Sequence, residues 1–464
     1  MTQSVVVQVG QCGNQIGCRF WELALQEYAH FNKKRLYDDA TGAFFHNVDL
    51  TSRNKGVYCS NNGVVQLLKA RAVLLDMEER VISQMMKGSL RDVFDHTQVL
   101  TGMSGAGNNW AVGYMMYGLN YKDKIVEQLR KAAEQCDCLQ SFFLIHSTGG
   151  GTGSGLGTRV LSLLKDEFPE VCRIVTPVFP SVNDDVVVSP YNTALALREL
   201  TENADCVLPV ENQSLEDILN MQRSSRAGRR RPTMNRLIGS EYSLDARNEI
   251  VANMLLNLTS AARFDGSLNM DLNEIAMNLV PFPQMHYLVP SLSPLYTLAD
   301  VGAPSKRMNQ LFNNAFSRSH QLIKADPKHS LYLACSLVAR GNVQVSDLRR
   351  NIDRLKPSLH FVSWNPEGWK TSLCSVPPVG HSQSLLVLAN NTAVKSTFME
   401  LREQFIKLYR NKAHLHHYLQ VDGMEQSLFS EAVTSLDSLI EEYHCLDVEA
   451  RKLIPDAPRI KIAK

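Results

Sequence analysis

The sequence is poor in features that would assign it to several common classes of protein. Its ten cysteines are scattered over 464 residues without a C-x-x-C pair, so no zinc-ribbon spacing occurs and free thiols are expected. The net charge of +1 gives no overall field that would attract nucleic acid or an anionic membrane. No apolar run approaches the ~20 residues that span a bilayer. We therefore expect a cytoplasmic protein that binds neither nucleic acid nor membrane.

One glycine-rich run lacks the lysine that would identify its class at once. Residues 147–155 read Ser-Thr-Gly-Gly-Gly-Thr-Gly-Ser-Gly, between an apolar run and a helical pattern that Pro169 ends. A glycine turn there brings several backbone N–H groups to one anion, and the helix start adds favourable partial charge. Without the lysine it is not a P-loop, and its glycine spacing disfavours a dinucleotide oxidoreductase. The run predicts a phosphate site of another type.

The chain divides into three predicted parts. Residues 1–247 begin with alternating apolar runs and amphipathic helices, which predicts an α/β domain on a parallel sheet with ligands beyond the carboxyl ends of its strands. Arginines crowd residues 222–247, most simply an exposed loop, with a basic docking site as the alternative. Residues 248–397 are expected to form a core helix, apolar along one face, and an α+β domain. Residues 398–464 predict a helical region with a short basic tail.

Two more glycine-rich turns follow predicted strands in the first part. Residues 10–17 read Gly-Gln-Cys-Gly-Asn-Gln-Ile-Gly, with Gln11 and Gln15 one helical turn apart. Residues 105–110 read Gly-Ala-Gly-Asn-Asn-Trp. Each turn alone is compatible with a tight turn that binds nothing, but three in one α/β part favour a nucleotide site.

Two carboxylates follow another predicted strand, at Asp76 and Glu78. Beside a phosphate chain they would repel it unless a cation lies between, so Mg²⁺ held partly through water fits the pattern. The alternative is that Asp76 ends its strand and caps the next helix.

These motifs resemble the tubulin superfamily in their order and spacing. The similarity continues through residues 263–269, 278–283 and 410–416, so it covers essentially the whole chain. The opening Met-Thr-Gln-Ser-Val, the arginine-rich region and the missing acidic tail resemble the epsilon type, a centriolar and basal-body form. The implied fold is a GTP-binding α/β domain, an intermediate α+β domain and a C-terminal helical layer.

The resemblance implies a GTP/GDP site with Mg²⁺ at Glu78 and Asp76. The implied nucleotide-binding residues are Gln11, Cys12, Gln15, Ala106, Gly107, Asn108, Ser147, Gly149, Gly150, Gly151, Thr152, Gly153, Asp185, Asn212 and Asn248. The last two would read guanine, because an amide presents both a donor and an acceptor. Leu244 stands where the family stacks a tyrosine on guanine, and Ser189 where it has an acidic residue, so weaker or less selective binding is one hypothesis.

A possible catalytic pair is Asp271 and Glu274, whose spacing predicts one shared helix face. Read without the resemblance, they are the solvated start of a helix. In the resemblance they match an alpha-tubulin segment whose glutamate positions water against the GTP of the neighbouring subunit. Glu274, with Asp271, would thus complete hydrolysis in trans; whether the GTP is hydrolysed stays open.

The resemblance implies head-to-tail association with other tubulins, either delta-tubulin-like or alpha/beta-tubulin, and contact with centriolar proteins. The expected place is the cytoplasmic cytoskeleton, at the centrosome, centriole or basal body. The alternative is a non-polymerising GTP-binding scaffold that supports centriole triplets without entering the microtubule lattice.

Overall fold

The computed structural model describes most of the chain. The described residues are 2–34, 36–48, 64–181, 184–227, 239–295, 307–327 and 330–452. Within them, an α/β part is followed by a long helix, an α+β part and C-terminal helices, so the predicted fold class is confirmed. No helix of these ranges has both the length and the apolar character that a membrane crossing needs.

A parallel sheet forms the centre of the first part. Its elements are β1 (Gln3–Val9), α1 (Gly10–Phe31), α2 (Asp39–Gly42), β2 (Phe45–Asn47), β3 (Leu68–Ala70), β4 (Ala72–Asp76), α3 (Glu79–Lys87), β5 (Val99–Thr101), α4 (Gly118–Asn120), α5 (Lys122–Glu134), β6 (Leu139–Ser147), α6 (Gly157–Glu167), β7 (Cys172–Phe179), α7 (Ser189–Asn203), β8 (Cys206–Val207), β9 (Val210–Glu211) and α8 (Asn212–Ala227). The strand order is β5-β4-β1-β6-β7-β8, with β9 also paired to β7, and every pairing is parallel. β2 and β3 form a separate antiparallel pair.

Helices cover both faces of this sheet. Val6 of β1 packs with α1 on one side, whereas its neighbours Val5 and Val7 pack with α5 and α6 on the other. Alternate residues of a strand point to opposite faces, so a strand buried on both faces reads as a continuous apolar run. This is why the strands were visible in the sequence.

The central helix α9 (Gly239–Leu258) differs from the prediction in two ways. It starts earlier than Asn248, and α8 extends to Ala227, so the predicted loop over 222–247 is helical at both ends. Residues 228–238, which hold four of its arginines, lie outside the described residues. Residues 250–258 are all buried, not one face only, because α9 packs between α1 and the second sheet.

The second sheet is mixed and carries the C-terminal helices beside it. The remaining elements are α10 (Ser260–Arg263), α11 (Leu272–Leu279), β10 (Leu288–Ser293), α12 (Met308–Ala315), β11 (Leu331–Gly341), α13 (Val345–Leu355), β12 (His360–Phe361), β13 (Trp369–Cys374), β14 (Gln383–Asn391), α14 (Lys395–Arg410), α15 (Leu415–Leu419) and α16 (Gln426–Lys452). The strand order is β10-β14-β11-β12, with β13 paired to β11. α14 and α16 pack on α7, and residues 453–464, most of the predicted tail, lie outside the described residues.

A buried ionic group fixes α1 against the second sheet. Glu27 of α1 accepts hydrogen bonds from Arg263 at 2.5 Å and from Arg340 of β11 at 2.9 Å. The three side chains are between 0% and 4% exposed. Burial alone would raise the pKa of Glu27, but the two guanidiniums outweigh it and hold that pKa below its usual value. Since α1 begins at the first glycine turn, this group also positions the candidate site.

Candidate functional site

A cavity of about 440 Å³ opens at the carboxyl ends of the parallel strands. The turns after β1, β4, β5 and β6 form its walls, together with the start of α8 and the middle of α9. Ligands of open parallel sheets bind at this edge, because several turns converge there.

Most of the residues predicted from the sequence lie on the wall of this cavity. These are Gln11, Cys12, Gln15, Asp76, Glu78, Ala106, Gly107, Asn108, Ser147, Gly150, Gly151, Thr152, Gly153, Asn212 and Asn248. Gly149 and Asp185 do not line it. Asp185 is exposed, and the carboxylate near the glycine run is that of Asp184, whose Oδ2 would lie 3.6 Å from a Cβ built on Gly149.

The first and third glycine turns touch at Gly10 and Gly153. Gly10 has a φ of +73°, and a Cβ there would lie 3.2 Å from the nitrogen of Gly153. A Cβ on Gly153 would lie 2.5 Å from Ser147 Oγ and 2.8 Å from Ser147 O, so no side chain fits. Two helix starts therefore converge on one cavity: α1 begins at Gly10, and a helical stretch from Gly151 leads into α6. The unsatisfied N–H groups and the partial positive charge of these starts favour an anion.

One buried residue that the sequence did not single out holds the second turn to the third. Asn192 of α7 donates to the carbonyls of Asn108 and Gly149, both at 2.8 Å. Its Oδ1 accepts from the Trp110 N–H at 2.9 Å and from the Tyr418 hydroxyl at 2.6 Å. The signal available was the Pro-Tyr-Asn sequence after Ser189, which had drawn attention only for the residue before it. Asn192 therefore acts as a positioning residue, because it holds Asn108 and Gly149 of two glycine turns in place.

Asp76 lies on the cavity wall and is almost fully buried. Its Oδ1 accepts from the N–H of Glu78 at 3.1 Å, while Oδ2 has no hydrogen-bond partner among the described residues. Burial raises the pKa of Asp76 to about 6. Asp76 does end β4, as the alternative expects, but its bond goes to a residue that precedes α3, so it does not cap that helix.

The two carboxylates fit a magnesium ion that a ligand shares. Oxygen donors suit Mg²⁺, which usually keeps water and binds one or two carboxylates together with phosphate oxygens. Within the described ranges no group of three side chains could hold a metal by itself. Further oxygens would have to come from phosphate and water.

Part of the cavity wall is aliphatic. It includes Val81, Leu215, Leu244 and Val251, and the amides of Asn212 and Asn248 also lie on the wall, while no aromatic ring lines the cavity among the described residues. Leu244 is 44% exposed. Ser189 is not on the wall: it is buried at the start of α7, and its N–H donates to the carbonyl of Val186.

Two arginines on the wall were not predicted. Arg80 is the second residue of α3 and is exposed, and Arg247 comes from α9. Burial raises the pKa of Cys12 to about 12, an effect that the charge of Arg247 partly opposes, so Arg247 lies near this thiol. Their only sequence signal was closeness to predicted ligands: Arg80 follows Glu78 by two residues, and Arg247 directly precedes Asn248.

Asp271 and Glu274 both lie at the start of α11, which begins at Leu272. Asp271 is the extended N-cap, with φ of −70° and ψ of 153°, and Glu274 lies in the first turn. Gln140 Nε2 donates to Asp271 Oδ1, whereas Glu274 Oε2 lies 3.3 Å from the Nζ of Lys370.

Both carboxylates are also far from the cavity of their own chain. Gln140 is near the start of β6, and Ser147, at its end, lines the cavity. The seven residue steps from 140 to 147, at ~3.3 Å each, separate them by about 23 Å. Asp271 and Glu274 therefore lie towards the amino ends of the parallel strands, opposite the cavity.

Known proteins are similar to this chain over its full length. Residues 3–220 match the family model "Tubulin/FtsZ family, GTPase domain", and residues 283–403 match "Tubulin C-terminal domain". Two curated relatives are the tubulin epsilon chains of Mus musculus, 63% identical, and Homo sapiens, 62% identical. Each alignment covers 100% of this chain and 100% of the relative. The three glycine turns and Asn212 lie in the first matched segment, and Asn248 lies between the two.

Proposed function

This chain belongs to the tubulin family of GTP-binding proteins, and from this we propose that it associates head to tail with other tubulins through a shared nucleotide site. The observation that carries the proposal is the separation of the site into two parts. The nucleotide cavity lies at the carboxyl ends of the parallel strands, and Glu274 lies towards their amino ends. Because the two parts are at opposite ends of one subunit, they can meet only where two subunits are in contact.

In the proposed binding mode, the guanine nucleotide lies along the cavity. The glycine run and the start of α1 bind the phosphates, because their N–H groups and partial charges favour anions. Asn212 and Asn248 bind the guanine edge through their amides. Asp76 and Glu78 hold Mg²⁺, partly through water, and the ion offsets the charge between carboxylate and phosphate.

The change Asp76→Asn tests the magnesium assignment. At pH 7, which is above the raised pKa of Asp76, the carboxylate is ionised, and this buried charge destabilises the nucleotide-free protein. That protein should lose stability as the pH rises through about 6, and Asp76→Asn should remove this loss. The variant should also lower the Mg²⁺-dependent part of the GTP affinity on the order of 10-fold. Thermal unfolding from pH 4.5 to 7.5, and GTP titrations with Mg²⁺ or EDTA, measure both. Unchanged Mg²⁺ dependence would contradict the assignment.

The change Leu244→Tyr tests the position of the base. An aromatic face on this aliphatic wall should stack on guanine and tighten GTP binding about 3- to 10-fold. Leu244→Met is the control, since it keeps the volume but adds no ring. Titration of both variants with GTP decides the question. If Tyr binds no better than Met, the base does not lie beside residue 244.

Exposed apolar side chains on α11 and soon after it in the chain support an interface at this end of the protein. Met277, on the same helix, is 73% exposed, and Trp364 is 52% exposed. Trp364 packs edge-on against the half-exposed Phe282, with ring centroids 5.9 Å apart. Exposed aromatic and methionine side chains of this kind mark protein–protein contacts, where burial removes them from water. The partner subunit would therefore cover the surface around Glu274.

Sedimentation with GTP separates the two candidate roles. Large assemblies that grow cooperatively with alpha/beta-tubulin or a delta-like tubulin would support a polymer subunit. A complex of fixed small size would support the non-polymerising scaffold instead. The full-length similarity to tubulin epsilon chains supports a place in the cytoskeleton, and we propose centrioles and basal bodies as its location. Failure to bind any tubulin would contradict head-to-tail association.

A further inference from the structure

The cavity has an unusual charge balance for a phosphate site. The glycine run carries no lysine, and two carboxylates, Asp76 and Glu78, lie on the cavity wall. Within the described residues the positive side chains on the wall are Arg80 and Arg247. Backbone donors and one Mg²⁺ neutralise only part of the charge of a triphosphate. The two guanidiniums are thus the remaining positive charge in reach.

Arg80 is available for a ligand. It is exposed at the start of α3, and it has no hydrogen-bond or ion-pair partner among the described residues. Other exposed arginines of the first part are paired, such as Arg91 with Asp92 and Arg130 with Glu167. Arg80 is four residues after Asp76 and two after Glu78, so it emerges from the same turn as the carboxylates. No protein contact must be broken for it to bind a ligand.

Arg247 approaches the cavity from a second element. It precedes Asn248 on α9, and its charge lowers the pKa of both Cys12 and Asp184, against the larger opposing effect of their burial. Asp184 in turn lies near Gly149 of the glycine run. Arg247 also lines the same cavity as Cys12 at the start of α1 and as Gly150 and Gly153 of the glycine run.

We propose that Arg80 and Arg247 bind the phosphate chain of the guanine nucleotide, with Arg80 replacing the lysine that the glycine run lacks. The inference rests on the proposed nucleotide site. A guanidinium binds phosphate through two parallel N–H donors, and it is always charged. The contact should therefore favour GTP over GDP, and GDP over guanosine. It should also make binding sensitive to salt, because exposed charges are screened.

Titrations of purified variants test the role of Arg80. Arg80→Gln should weaken GTP binding about 10-fold, GDP binding less, and guanosine binding not at all. Arg80→Lys keeps the charge and should recover part of the loss. Arg247→Gln should show the same order of ligands with a smaller loss. Arg91→Gln is the matched control, since it removes an exposed arginine from the same region that does not line the cavity. Raising KCl from 50 to 300 mM should weaken GTP binding more in the wild type than in Arg80→Gln.

The outcomes distinguish this inference from the proposal beneath it. If the wild type binds GTP and Arg80→Gln binds it equally well, the role of Arg80 is overturned while the nucleotide site stands. An equal loss for GTP and guanosine, or a loss as large in Arg91→Gln, would also overturn it. If the wild type binds no guanine nucleotide, the nucleotide site itself is overturned. Circular dichroism of each variant shows whether the fold is retained.

Discussion

Replacing Glu274 by glutamine is expected to slow GTP hydrolysis in the assembled complex by at least about 100-fold. A carboxylate that orients or deprotonates the attacking water contributes about 10²- to 10⁴-fold, and glutamine keeps the shape but not the basicity. GTP binding by this chain should not change, because Glu274 is at the far edge of the sheet from the cavity. Phosphate release from a complex with a partner tubulin, in excess GTP, measures the effect.

Two controls separate catalysis from a general loss of charge. Glu127→Gln removes a helical glutamate with a lysine at 3.3 Å, the same distance as between Glu274 and Lys370. It should leave the hydrolysis rate unchanged. Asp271→Asn should slow hydrolysis less than Glu274→Gln. Asp271 is at the N-cap position of α11, and its carboxylate accepts a hydrogen bond from Gln140. If a complex with Glu274→Gln assembles normally and releases phosphate as fast as the wild type, Glu274 does not complete GTP hydrolysis in trans.

Removing the charge of Glu27 is expected to give a large loss of stability. Glu27→Gln leaves Arg263 and Arg340 buried without a counter-charge, which should lower the free energy of unfolding by about 3–5 kcal/mol. The lowered pKa of Glu27 means that its contribution is present above the unfolded-state pKa and is lost as the pH falls through the folded-state pKa. At acidic pH, the free energies of unfolding of the wild type and of Glu27→Gln should therefore differ less than at pH 7. Urea unfolding at pH 7 and at lower pH measures both effects.

The matched control lies on the same helix. Glu22→Gln breaks a partly exposed pair with Arg19 and should cost at most about 1 kcal/mol. Because Glu27 fixes the helix that starts at the first glycine turn, Glu27→Gln should also weaken GTP binding. Equal losses of stability in Glu22→Gln and Glu27→Gln would show that the buried group does not fix α1 against the second sheet.

The sequence predicted the elements whose signals are local. The runs at residues 5–9, 72–75 and 142–145 became strands because burial on both faces requires continuous apolar residues. The glycine turns could be assigned to one edge because parallel strands end there together.

The features that the sequence did not predict depend on contacts between distant residues. The burial of α9 on all sides depends on a second sheet that periodicity does not report. Asp271 is extended because α11 starts one residue later, and a spacing of three residues gives no helix boundary. The roles of Asn192 and Arg80 depend on which turns and helices meet at the cavity, and the sequence alone does not show this.

Analysis of the nucleotide bound to the isolated monomer tests the central claim most directly. The chain is incubated with Mg²⁺ and GTP at concentrations where it is monomeric, freed of unbound nucleotide, denatured, and its nucleotide is identified by chromatography. The divided site predicts about one guanine nucleotide per chain, recovered as GTP, because the monomer has no Glu274 at its own cavity. Recovery of GDP from a verified monomer, or of no guanine nucleotide, would contradict the account.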